Sequence, residues 1–146
     1  MVRFGLIFLL LLPAPAFSDE SIATYRIVDG AIPQSLTGEP GDAARGRALA
    51  AGRHANCLGC HRIPIPEEAF HGTAGPDLAG VGSRLSAAEL RLRLVDPTRA
   101  NPDTLMPPYH KVSGLHRVAP RYAGKPILNA REIEDVIAYL LTLKGE

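Results

Sequence analysis

The stretch Asn56-Cys57-Leu58-Gly59-Cys60-His61 holds both cysteines of this 146-residue chain, and its reading decides the fold. Cys-x-x-Cys-His is the attachment pattern of a c-type haem. Two thiols three residues apart can each form a thioether to a vinyl group on one edge of a porphyrin. The histidine directly after the second thiol is then carried beneath the ring, where an imidazole nitrogen can bind the iron. Three other readings of the same residues compete. A thioredoxin-like dithiol needs a hydrophobic strand just upstream, and residues 42–51 are helix-like instead. A structural zinc site usually needs four protein ligands, and His54, His71, His110 and His116 are scattered without forming a second pair. A disulfide between residues three apart closes too small a loop to stabilise much.

The N-terminus points to the same chemistry independently. Arg3 precedes an apolar run over residues 4–12, followed by Pro13-Ala14-Pro15-Ala16-Phe17-Ser18. This is the pattern of a cleaved export signal, with cleavage expected after Ala16 or Ser18, Ser18 being favoured. The run is too short to span a bilayer comfortably. Covalent haem attachment in bacteria takes place outside the cytoplasmic membrane, so the expected compartment is the periplasm. About 128 residues remain, enough for one domain with a modest core. The formal charge falls from +1 to zero, because Arg3 leaves while every acidic residue stays. That argues against a nucleic-acid partner. No second long apolar segment follows, so no membrane span is expected in the mature chain.

Residues 19–41, with Gly30, Pro33, Gly38, Pro40 and Gly41, read as an extended arm lying over the domain or over a partner. Within it, residues 25–28 could make a short strand. The domain proper is expected over residues 42–146. Asp42 caps a helix of about eleven residues ending near Gly52. Gly46 inside it costs about 1 kcal/mol relative to Ala and marks a close approach of another backbone, the C-terminal helix being the obvious neighbour. Ser86-Ala87-Ala88-Glu89 is a capping box, with Leu85 and Leu90 placed as a hydrophobic staple. That helix runs to about Val95 and stops at Asp96-Pro97. Asn129-Ala130-Arg131-Glu132 caps a third helix, whose apolar face is Ile133, Val136, Ile137, Leu140 and Leu141. Residues 62–82 and 97–128 are loops broken by proline and glycine, long enough to need a function. Covering a haem supplies one. The pattern is all-α.

The second axial position has several candidates. Met106 is the only methionine left in the mature chain and sits in Thr104-Leu105-Met106-Pro107-Pro108, where the prolines stiffen the backbone around it. His110, four residues on, is its best rival, ahead of His54, His71 and His116. A thioether raises the iron's reduction potential, whereas a second imidazole lowers it. Gly75-Pro76-Asp77-Leu78 is a rigid turn whose carbonyl could accept the other N–H of the ligating His61; a plain tight turn is the alternative. From Arg84 to Arg131 there are nine Lys or Arg and three acidic residues. This basic stretch reads either as scattered solvated charge or as a rim that offsets haem propionates or guides an acidic partner.

Taken in order, the helix, Cys57, Cys60 and His61, the Gly75-Pro76-Asp77-Leu78 turn and Met106 resemble class I cytochromes c. Further segments resemble one branch of them, SoxX. These are residues 29–36, 41–47, 90–96 and 101–107, together with Arg117-Val118-Ala119-Pro120 and Gly124-Lys125-Pro126-Ile127-Leu128. The resemblance covers essentially the whole mature chain and implies a class I cytochrome c-like fold around one covalent haem c. Cys57 and Cys60 would attach it, His61 and Met106 would bind the iron, and Pro76 would orient His61. SoxX is the monohaem subunit of the SoxAX complex (L-cysteine S-thiosulfotransferase) of bacterial sulfur oxidation. The implied partners are a SoxA-type cytochrome subunit in a heterodimer, the SoxYZ carrier reached through the complex, and a small periplasmic cytochrome as electron acceptor. The resemblance implies no activity for this chain alone. A free periplasmic electron shuttle, a ligand-binding haem sensor with an open iron site and a dithiol oxidoreductase are the rival functions.

Overall fold

The first and last described helices pack against each other. In the computed structural model, which describes residues 22–145, four α-helices are joined by long loops: α1 Ala43–Ala51, α2 Val81–Arg84, α3 Ala87–Val95 and α4 Ala130–Thr142. Short 3-10 turns occupy Cys57–Gly59, Pro97–Arg99 and Pro120–Tyr122. Among the described residues there is no strand, only isolated bridges between Val28 and Ala31 and between Val81 and Lys144. Residues 25–28 therefore do not form the short strand expected of them. The leader read over residues 1–18 and the first residues of the arm lie outside the described residues.

The helix ends are set locally by the capping chemistry. Asp42 accepts the Arg45 N–H at 2.8 Å, and both capping boxes close, Ser86 with Glu89 and Asn129 with Glu132. Each satisfies donors that a helix start otherwise leaves without partners. Helix α1 is nine residues rather than eleven, and the Gly52 N–H closes its last turn on the carbonyls of Ala48 and Leu49. Helix α2 was not expected; four residues are too few to show a helical period.

Helices α1 and α4 cross at Gly46. A Cβ built there would lie 1.9 Å from the Asp135 carbonyl oxygen, so only glycine permits this approach. Ile133, Val136, Ile137 and Leu140 of α4 are buried as their spacing predicts, each contributing about 1.5–3 kcal/mol, whereas Leu141, expected on the same face, is only partly buried. The same helix also buries Glu134 and Asp135. Asp135 accepts the Asp42 N–H at 2.7 Å and two bonds from the Arg45 guanidinium, at 2.7 and 2.9 Å. Glu134 takes a bidentate pair from buried Arg91 at 2.7 and 2.8 Å and the Leu36 N–H at 2.9 Å.

The arm is thereby built into the domain. Ile32 is fully buried, its N–H reaches Ala88 O at 3.0 Å, and its carbonyl accepts from Arg91 at 2.7 Å. One of the nine basic residues assigned to a surface rim is thus an internal strut, and α4 does not carry its acids as a solvated face.

Candidate haem site

The motif is a tight turn that presents three side chains at once. Asn56 adopts a left-handed conformation (φ 52°) and starts the 3-10 turn, and the His61 N–H closes it on the Cys57 carbonyl at 2.9 Å. Cys57 and Cys60 form no disulfide. The Cys57 side chain faces the interior, and burial pushes its thiol up to about 11 in spite of the neighbouring Tyr109 hydroxyl. Burial penalises a thiolate but not a neutral thioether, so this position suits a sulfur joined to an apolar ring.

Residues 72–78 lie alongside the motif and fix its histidine. Gly72 N–H reaches Leu58 O at 2.8 Å, Gly75 N–H reaches Cys60 O at 2.8 Å, and Leu78 N–H reaches Arg62 O at 2.9 Å. The result is a 2.7 Å hydrogen bond from His61 Nδ1 to the Pro76 carbonyl. A carbonyl only accepts, so Nδ1 carries the proton and Nε2 is left with its lone pair for a metal. A Cβ at Gly75 would lie 2.4 Å from His61 Cε1. Glycine there is a condition of the ring's placement, which the sequence reading of this turn did not single out.

The remaining histidines have other partners. His71 accepts the Ile63 N–H at 3.1 Å and donates to Glu68 O at 3.0 Å. His110, the strongest rival to Met106 in the sequence, is fully buried; Nδ1 donates to Leu128 O at 2.8 Å and Nε2 accepts the Ala23 N–H at 3.0 Å. Neither has a ring nitrogen to offer iron. His54 is half exposed with Nε2 4.0 Å from Glu132, and His116 is on the surface. Met106 is half-buried against the core, and its N–H bonds to Thr104 Oγ1 at 3.1 Å.

Beyond Met106 the loop is pinned by Tyr109, a residue the sequence reading missed. Its N–H reaches Leu94 O at 2.9 Å, its carbonyl accepts from Leu128, and its hydroxyl donates to Ala55 O at 2.8 Å, two residues from Cys57. Burial pushes its phenol far above the ordinary value, with Cys57 and Cys60 adding to the shift. A tyrosine following two prolines was the available sign: a side chain aimed by stiff backbone. Asp96 ties the stem of the loop, accepting from Thr98 and from Lys111, both at 2.7 Å.

An open cavity of about 860 Å³ is lined by Ile63, Ile65, His71, Asp77 and their neighbours. Arg62 and Asp77, the neighbours of His61 and Pro76, stand in its wall.

The chain matches the cytochrome c family model over residues 43–144. It belongs to the cytochrome c family. A chain in the crystal structure of SoxXA from P. pantotrophus is similar to this cytochrome at 38% identity and a TM-score of 0.77, the match covering 83% of this chain and 95% of that one. Within the family the cytochrome is therefore of the SoxX type, with the class I cytochrome c-like, all-α fold expected of it. A comparison with curated protein sequences gives no match.

Membership of the family implies a covalent haem c, and the residues present fit it. The cytochrome offers two unpaired cysteines at the attachment spacing, one in an apolar setting, and a histidine held with Nε2 available. Among the described residues no group of three or more His, Cys, Asp or Glu could hold a metal ion. No described helix is long and apolar enough to cross a membrane.

Proposed function

We propose that this cytochrome is the electron-transfer subunit of a periplasmic SoxAX-type enzyme, with haem on Cys57 and Cys60 and iron between His61 and Met106. The bound haem supplies a one-electron ferric/ferrous couple. The chain's own residues set that couple. Pro76 and Gly75 fix the His61 ring, the Met106 thioether favours ferrous iron and raises the potential, and Tyr109 holds the loop that carries the methionine.

In the proposed reaction a sulfur–sulfur bond forms between thiosulfate and a cysteine thiol of a SoxYZ-type carrier. One proton leaves the thiol and two electrons leave the sulfur pair. The catalytic centre belongs to a SoxA-type partner. This chain receives the electrons singly and hands them to a small periplasmic acceptor; alone it has no transferase activity.

The observation that carries this reading is the reach of the SoxXA likeness. It covers 83% of the chain, a larger share than residues 43–144 make up, so it extends beyond the cytochrome c domain into the arm. The test is anaerobic mixing of the oxidised cytochrome with thiosulfate. Its reduction is expected only when both a SoxA-type subunit and a SoxYZ-type carrier are added. Failure to bind a SoxA-type protein at micromolar concentration would overturn the reading.

One observation favours a second reading, a diffusing electron shuttle. The arm packs on its own domain through Ile32, Leu36 and Ala23, so it does not by itself call for a partner. A monomer that exchanges electrons with small cytochromes and never co-purifies with a SoxA-type chain would establish it.

A further inference from the structure

Among the described residues one imidazole hydrogen-bonds the arm to the loop beyond Met106. His110 lies four residues after Met106, with the rigid pair Pro107-Pro108 and the pinned Tyr109 between them. Its surroundings leave one protonation arrangement. Leu128 O can only accept, so Nδ1 bears the proton; the Ala23 N–H can only donate, so Nε2 must be the bare acceptor. A fully buried ring with both nitrogens satisfied is held in one orientation. Residues 109 and 110 therefore form one anchor with four backbone partners: Leu94, Ala55, Leu128 and Ala23. Three of these belong to the domain and one to the arm.

We propose that His110 is a positioning residue through which the N-terminal arm holds the Met106 loop closed, so that the arm strengthens methionine ligation without touching the iron. The inference rests on Met106 being the second axial ligand. When the Ala23 N–H is bonded, the His110 ring cannot swing, the end of the loop is fixed, and the two prolines pass that fixed position back to Met106. When the bond is absent, Nε2 is a buried acceptor without its partner, which weakens the anchor by the worth of about one hydrogen bond. The arm is then more than packing: it sets how readily an outside ligand displaces the methionine.

The experiment uses the haem-loaded ferric protein and adds imidazole, which competes with Met106 for iron. The far-red methionine-to-iron charge-transfer band reports the displacement. Ala23→Pro deletes the arm's N–H and leaves His110 untouched. His110→Asn keeps a donor for Leu128 and loses the acceptor for Ala23, whereas His110→Gln keeps an acceptor long enough to reach Ala23. Ala23→Pro and His110→Asn are each expected to lower the imidazole concentration for half-displacement about threefold to tenfold. The double variant should be no worse than the more affected single one, and His110→Gln should lie closer to wild type.

Wild-type displacement in Ala23→Pro, or additive effects in the double variant, would overturn the proposal. Loss of fold in His110→Asn is controlled by Ala23→Pro, whose change lies in the arm, outside the helical core. A wild-type protein with no charge-transfer band would overturn the Met106 reading and this proposal together. A normal band that neither variant weakens would overturn this proposal alone.

Discussion

The two sides of the haem site are held by different means. On the His61 side, residues 72–78 are bonded directly to the motif they cover, through Leu58, Cys60 and Arg62, and Gly75 leaves the ring no clearance. On the Met106 side the near bonds are local: Asn101 to Pro97, Thr104 to Asn101 and Met106 to Thr104. That loop closes on itself and depends on its stem, where Asp96, Tyr109 and His110 tie it to the rest. The difference teaches which ligand the fold fixes in advance. In the proposed ligation His61 is set by the backbone that follows the cysteines, whereas Met106 would be delivered by a loop tied to the rest chiefly at its stem.

The sharpest way to break this contrast is at Gly75. Gly75→Val places side-chain atoms where the His61 ring stands and forces it off the Pro76 carbonyl. Loss of such an orienting partner lowers metal affinity by roughly 10–100-fold, so the yield of correctly ligated, haem-loaded protein should fall by about that factor. A normal yield with an unaltered spectrum would show that the histidine is not preset.

Next in size is Met106→Ala. It should leave covalent haem and the fold in place, abolish the ferric charge-transfer band and lower the reduction potential, because the thioether that favours ferrous iron is gone. The half-buried side chain contributes about 1–2 kcal/mol by its removal from water, readable in denaturant unfolding. A loss of haem-loaded protein as severe as that of Gly75→Val would erase the distinction between the sides.

Acid should separate the sides more gently. Burial pushes the Asp96 carboxyl up, but the bonds from Lys111 and Thr98 more than offset it and hold it below the usual value of 3.8. Its folded value is the depressed one, so the stability it gives is complete above the unfolded value. That stability is lost as pH falls through the folded one. Below about pH 4 the stem of the Met106 loop should loosen, and the charge-transfer band should fade before the His61 side changes. Simultaneous loss of both in an acid titration would count against a separable loop. Asp96→Asn should flatten that part of the profile.

Sequence showed the local half of this structure clearly. Both capping boxes, the Asp42 cap and the apolar stripe of α4 are encoded within a few residues and could be read from spacing. What escaped was set by contacts far apart in the chain. Nothing near Glu134 or Asp135 announces that Arg91 and Arg45, 43 and 90 residues away, will bury them. The Gly75 requirement depends on a ring 14 positions earlier, and four residues of α2 carry no period to detect. His110 was legible as a rival to Met106 only because composition names candidate ligands; its two backbone partners, which remove it from contention, are distant in sequence. The basic stretch likewise looked uniform until Arg91 proved internal and Lys111 paired with Asp96.

Glu134 and Asp135 have a consequence for how the protein is made. They are consecutive, and between them they receive Leu36, Asp42, Arg45 and Arg91. During synthesis none of these bonds can exist until residues 134 and 135 have been added. Helix α1 waits for helix α4, leaving Cys57 and Cys60 in an unclosed domain until then. The buried seat that suits the Cys57 thioether would shield the thiol needed to form it. While the seam between α1 and α4 is still open, that thiol stays within reach of the chemistry that attaches the haem.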